Sequence, residues 1–159
     1  MIEVGHRNPA VDLFVLGDDG QQSVSIGSLF AGKQVALFGV PGAFTRTCSA
    51  RHLPGYVEQL AALKAAGVDE VICLSANDVF VLAAWSEMSG ADGKVSMVSD
   101  GCLNFTRAAG LEADMSANGF GTRCRRFSML VRDGVVTHMH LEQPGDFGAT
   151  SAEALLADL

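Results

Sequence analysis

VALFGVPGAFTRTCSARHLPGYVEQ, residues 35–59, decides how the chain is read. With Gln34 its first part is QVALFGV, a continuous apolar run of strand length. Such a run suits a central strand covered on both faces, because neither side of the pleat then meets water. Pro41-Gly42 ends the strand, and Cys48 comes eight residues after Val40. Residues 55–66, GYVEQLAALKAA, place apolar side chains at 56, 57, 60 and 63, a helical stripe with Gly67 suited to the C′ position. A helix beginning near Thr47 carries Cys48 in its first turn, and Pro54 is expected to interrupt or kink it.

Working outward, VDLFVL at 11–16 reads as a short strand turned by Gly17-Asp18-Asp19-Gly20, then a strand at 23–25 and a helical turn at 28–31. EVICL at 70–74 is a second buried strand. Asn77 is expected to cap a helix through Met88, with Asp78 in its first turn. A strand at 94–98 and a short helix from Asp100 to Ala109, closed by Gly110, follow, and 111–122 reads as loop. Asp133-Gly134 between 127–131 and 135–140 is a strong hairpin signal. Thr150 and Glu153 stand in capping-box spacing before a last helix. Strands alternating with helices, then a hairpin and a helix, predict one α/β domain over 1–159: three layers, a mixed central sheet and helices on both faces.

Composition narrows the function classes. At 159 residues, 48% hydrophobic and 18% charged, the chain belongs with globular domains. A net charge of -7 argues against a nucleic-acid surface, and Arg123, Arg125 and Arg126 are too few to hold a duplex. No apolar window of membrane length and no secretory start are visible, so the expected compartment is the cytoplasm. Cys48, Cys73, Cys102 and Cys124 lie far apart, without the close ligand spacing of a zinc site, and reduced thiols are expected. His138 and His140 share a strand face with no further ligands nearby in sequence, so no metal or cofactor is expected.

A thiol in the first turn of a helix has positive peptide dipole and unpaired N–H groups beside it, which favour the thiolate. Complete ionisation at neutral pH increases the reactive fraction of an ordinary thiol only about 30-fold. Fast attack by such a sulfur needs a second contribution, donors fixed where charge builds on the departing atom. Thr45, three residues before Cys48, offers a hydroxyl to the sulfur and to a substrate beside it; Pro41 closes the pocket without adding an N–H. An arginine from elsewhere would add a rigid donor fork, though periodicity does not identify it.

At this point the sequence resembles a family. PGAFTRTC at 41–48 matches the peroxiredoxin pattern P-x-x-x-[TS]-x-x-C. The longer LFGVPGAFTRTCSARHLPGYVEQ, CLSANDVFVLAAW at 73–85, RFSM at 126–129 and Glu142 at the hairpin exit resemble the type II (class five) branch. The resemblance implies a thioredoxin-like fold and thiol-dependent reduction of hydrogen peroxide and alkyl hydroperoxides through a sulfenic acid. It implies Cys48 as the peroxidatic cysteine, with Pro41, Thr45 and Arg126 as its companions and His52 close by. It also implies a homodimer, and glutathione with glutaredoxin, or thioredoxin, as external reductant.

The match has departures. Many members carry Pro at the position of Arg46. Animal members have a resolving cysteine in the C-terminal segment, where 148–151 offers none. Plant-like members carry one 25 residues after the peroxidatic cysteine, the spacing of Cys73, so resolution by Cys73 and reduction by an outside thiol both stay open. The missing C-terminal cysteine also leaves room for a second function, a redox sensor that relays oxidation to a partner thiol.

Overall fold

The computed structural model describes all residues, 1–159. Its strands are β1 (Asp12–Gly17), β2 (Gly20–Ser25), β3 (Gln34–Gly39), β4 (Glu70–Ser75), β5 (Ser96–Ser99), β6 (Glu112–Asp114), β7 (Thr122–Cys124), β8 (Phe127–Arg132) and β9 (Val135–Leu141). Between them run α1 (Ile26–Phe30), α2 (Leu53–Glu58), α3 (Leu60–Ala65), α4 (Val79–Met88), α5 (Asn104–Ala108) and, last, α6 (Ala152–Leu156). Seven strands form one sheet in the order β2-β1-β5-β4-β3-β8-β9. β3, β4 and β5 are parallel; β8 and β9 continue antiparallel from β3, and β1 and β2 from β5.

The apolar run is the reason β3 lies inside. Ala36, Phe38 and Val40 pack into one core with Leu53 and Tyr56 of α2, Leu63 of α3, Leu82 and Trp85 of α4 and Leu155 of α6. Val35 and Leu37 point the other way, into a second core with Phe30 of α1, Phe105 of α5, Phe127 and Met129. The period of two along one strand thus fills both faces, and the expected three layers are present, in a mixed sheet of thioredoxin-like type. Gly39 is fixed by this packing: a Cβ there would fall 2.1 Å from the ring of Phe127. At the β8–β9 turn Asp133 and Gly134 both take positive φ, 46° and 82°, as the expected two-residue hairpin requires. No helix is long and apolar enough to cross a membrane.

Three local expectations are corrected and a fourth takes a definite form. The cap of α4 is Asp78, whose carboxylate accepts from the N–H groups of Phe80 and Val81; Asn77 is occupied elsewhere. The cap of α6 is Ser151 rather than Thr150, with Ser151 Oγ accepting from Ala154 N–H. Residues 111–122 are not all loop: β6 pairs with β7 in a separate ribbon around a short helical turn, Ser116–Asn118. Pro54 does interrupt the α-helical pattern that begins near Thr47, and the form is specific. Cys48–His52 forms a wide π turn, closed by Leu53 N–H on the Cys48 carbonyl, that runs directly into α2. A proline has no N–H to give the carbonyl four residues back and its ring crowds that carbonyl. Widening the preceding turn relieves both, and such turns recur at functional sites.

Candidate active site

β3 delivers the chain to a tight loop, and the loop is tied down from three sides. Ala43 N–H donates to Asn77 Oδ1 at 2.8 Å, linking it to the loop after β4. Arg123 Nη1 donates to the Pro41 carbonyl at 3.2 Å. Thr45 Oγ1 donates to the Gly42 carbonyl at 2.7 Å. Between these ties Phe44 sits at φ 63°, a left-handed conformation unusual for a bulky residue and of the kind that persists only where the surroundings enforce it. Ser49 in the turn beyond accepts from Trp85 Nε1 of α4 at 2.9 Å.

Cys48 follows at the start of the π turn, its side chain buried. Arg126 reaches it from the end of the β7–β8 connection: Nη2 donates to Cys48 Sγ at 3.4 Å, and Nη1 meets His52 Nδ1 at 2.9 Å. A guanidinium only donates, so His52 Nδ1 must accept, and the proton of the neutral ring sits on Nε2. Nε2 in turn donates to the Thr150 carbonyl at 3.1 Å, which also accepts from Tyr56 Oη at 3.1 Å. Burial, reinforced by the Arg126 charge, lowers the His52 pKa from 6.5 to about 3. His52 is therefore neutral throughout the physiological range and holds the guanidinium in place rather than exchanging protons.

Pro41, Thr45 and Arg126 line an open cavity of about 720 Å³, whose walls also include Arg46, Glu112, Arg125, Glu142 and Asp146. Cys48 lies behind this lining, and Arg126 belongs to both: it faces the cavity and touches the sulfur. The structure thus gathers Pro41, Thr45, Cys48, His52 and Arg126 around one point. One contact differs from expectation: the Thr45 hydroxyl gives its proton to Gly42, not to the sulfur, and keeps lone pairs free to accept from a ligand.

Cys73 is not exposed to this cavity. It lies in the middle of β4, fully buried in the same core as Cys48, and burial, then the neighbouring Cys48, push its thiol well up. Cys124 is buried on the opposite side, donating to the Val40 carbonyl at 3.1 Å, and its thiol is also pushed up by burial. Cys102 is exposed. His140 pairs with Asp158 at 2.5 Å.

Sequence reading missed Arg123 and Asn77, which hold the loop. No local pattern announces Arg123 as a side chain that reaches back 82 residues to a carbonyl.

The Redoxin family matches residues 3–156. The chain is similar to peroxiredoxin-2B of Arabidopsis thaliana, 46% identical over 142 residues, covering 89% of this chain and 88% of that protein. It is 45% identical to the chloroplastic peroxiredoxin-2E-2 of Oryza sativa subsp. japonica, over 99% of this chain and 72% of that one. Among solved structures, reduced Prx3 of Vibrio vulnificus in complex with hydrogen peroxide superposes with a TM-score of 0.96 at 44% identity, covering 99% of each chain.

Proposed function

The chain belongs to the Redoxin family, as a type II peroxiredoxin and thiol-dependent peroxidase, and from that premise we propose that Cys48 is its attacking sulfur. The observation that carries the assignment is Arg126, with one nitrogen on Cys48 Sγ and its side chain in the cavity wall beside Pro41 and Thr45. A fixed guanidinium donates to the sulfur, and its donors need no rearrangement when charge moves to a second oxygen.

In the reaction the Cys48 thiolate attacks the terminal oxygen of the hydroperoxide. An S–O bond forms, the O–O bond breaks, and its electron pair leaves on the second oxygen, which takes up a proton and departs as water or alcohol. Sulfur, oxidised by two electrons, is left as sulfenic acid. Arg126 and the Cys48 N–H stabilise the departing oxygen, Thr45 Oγ1 accepts from the peroxide O–H, and Pro41 shields the sulfur from water. Hydrogen peroxide is the first substrate to test, since the similar Vibrio protein was solved with it. Stopped-flow mixing of reduced protein with substoichiometric peroxide tests the assignment: Cys48→Ser should lose the reaction, and a variant consuming peroxide at the parental rate would end it.

For the return step we propose an outside thiol, glutathione with glutaredoxin ahead of thioredoxin. The sulfenic acid condenses with one thiol, releasing water and leaving a mixed disulfide; a second thiol then frees Cys48 and carries the disulfide away. The burial of Cys73 in mid-strand supports this route over an internal one. Intact mass after one peroxide equivalent discriminates: a glutathione adduct on Cys48 supports it, a disulfide between Cys48 and Cys73 refutes it. The same reading places the chain in the cytoplasm as a homodimer. Exposed Phe44, on the loop after β3, and Phe80, in the first turn of α4, are 50% and 62% accessible and give such a dimer an apolar surface to cover. Sedimentation at micromolar concentration checks it.

A further inference from the structure

Glu142 stands directly across from Arg126. The ladder pairs Phe127 with Leu141, and Glu142 N–H donates to the Arg126 carbonyl at 3.1 Å, so the two residues oppose each other one step beyond. A carboxylate so placed would ordinarily take a guanidinium in a bidentate pair. Here no ion pair joins them. Glu142 Oε1 is turned to the following loop, where it accepts from Gly148 N–H at 2.7 Å, Thr150 N–H at 2.9 Å and Thr150 Oγ1 at 3.1 Å.

That loop supplies the rest of the support for Arg126. Thr150, itself fully buried, presents the carbonyl that fixes the His52 ring, and His52 Nδ1 holds Arg126 Nη1. Phe147 in the same loop lies 5.2 Å from the His52 ring, with Arg51 and Arg126 over its face at 4.6 and 5.9 Å. One carboxylate oxygen therefore anchors both the backbone and the aromatic surface against which the guanidinium rests.

We propose that Glu142 is a positioning residue for peroxide reduction: by gathering the Gly148 and Thr150 donors it pins 143–151, orients His52 through Thr150, and keeps its own charge off Arg126 so that the guanidinium stays on Cys48. This rests on the reading of Cys48 and Arg126 as the reacting pair. Released from its three donors, Glu142 would compete with sulfur for Arg126; removed, it would leave the loop unanchored. Either change draws Arg126 away.

The test is a double-mutant cycle on the full chain, with thermal unfolding of each variant to verify folding. Glu142→Ala should lower the rate of peroxide reduction about 10- to 100-fold, the scale of moving a catalytic group by roughly an ångström. In an Arg126→Ala background the same substitution should change the rate less than about 2-fold, because the group it positions is gone. Alkylation of Cys48 by iodoacetamide, which has no O–O bond to polarise, should fall less than peroxide reduction does. Glu142→Gln, whose amide oxygen still accepts, should restore most of the rate. A parental rate in Glu142→Ala, equal losses in the two backgrounds, or a Gln variant as slow as the Ala variant would each overturn the proposal. If Glu142→Ala does not fold, Thr150→Val removes one of the three donors and runs through the same cycle with a smaller loss. Cys48→Ser that still reduces peroxide would instead remove the underlying site reading, so the two failures are distinct.

Discussion

Cys48 and Cys73 share one core, and both side chains are fully buried, yet their surroundings differ in kind. Cys73 is flanked by β3 and β5, its backbone committed to the sheet on both sides, and nothing donates to its sulfur. Burial without a donor disfavours charge, and its thiol is pushed well up. Cys48 opens a helical turn and receives the Arg126 guanidinium. Cys124 makes the contrast from the other side of the sheet: its thiol is itself the donor, to the Val40 carbonyl, which keeps the proton on sulfur. Burial alone therefore does not sort reactive from inert thiols here. What sorts them is whether fixed donors point at the sulfur.

The largest effect that would break this contrast comes from Arg126. Arg126→Ala takes the donor fork away from Cys48, and peroxide reduction should slow about 10²–10³-fold, the range for losing one preset donor to a developing oxyanion. Lysine should not rescue it fully, since a single ammonium cannot reach sulfur and His52 Nδ1 in one plane. Stopped-flow rates measure this directly. A loss below about 3-fold would mean that the helix start, rather than the guanidinium, distinguishes Cys48.

How much of this contrast was legible in the sequence follows from how far each signal extends along the chain. β3 showed itself as a short apolar run, and the helical stripe at 56, 57, 60 and 63 became α2 and α3, because both patterns repeat within a few residues. Cys48 at a helix mouth was readable for the same reason. Arg126 and His52 entered only through resemblance, since their meeting spans 74 residues and depends on the sheet order. Asn77 was misread as a cap because Asn suits that role as well as Asp does, and only the tertiary structure gives its oxygen to Ala43. The interruption ahead of Pro54 was legible but its widened form was not, because proline's local rule predicts disruption without saying which form relieves it.

His52 offers the next effect, in stability. Its pKa lies near 3 in the folded chain against an ordinary 6.5, so between these values the unfolded chain binds the extra proton. The stabilisation from keeping it neutral is complete above about 6.5 and is lost as pH falls towards 3. Between pH 7 and 4 that amounts to roughly 3 kcal/mol of stability. Urea unfolding at the two pH values, parent against His52→Phe, isolates it, because the carboxylates contribute equally to both proteins. The variant should be less pH-sensitive by that amount; identical slopes would show that His52 is already free to charge in the folded state. Over the neutral range the parental peroxide rate should show no limb from His52.

Cys73 carries the smallest expected effect and the sharpest use of the contrast. If the surroundings of Cys73 make it inert, Cys73→Ala should leave the rate of the first oxidation at Cys48 unchanged, and turnover with glutathione and glutaredoxin should also persist. The thermodynamic change should be small, about 1 kcal/mol for the modest cavity left in β4. Measured together, peroxide rate, turnover and urea midpoint separate packing from chemistry: a shifted midpoint with unchanged rates fits a sulfur that only fills space. Turnover that stops while the first oxidation proceeds would show β4 opening to let Cys73 resolve the sulfenic acid. The difference between the two thiols would then be one of timing, with Cys73 silent in the reduced fold and recruited once Cys48 is oxidised.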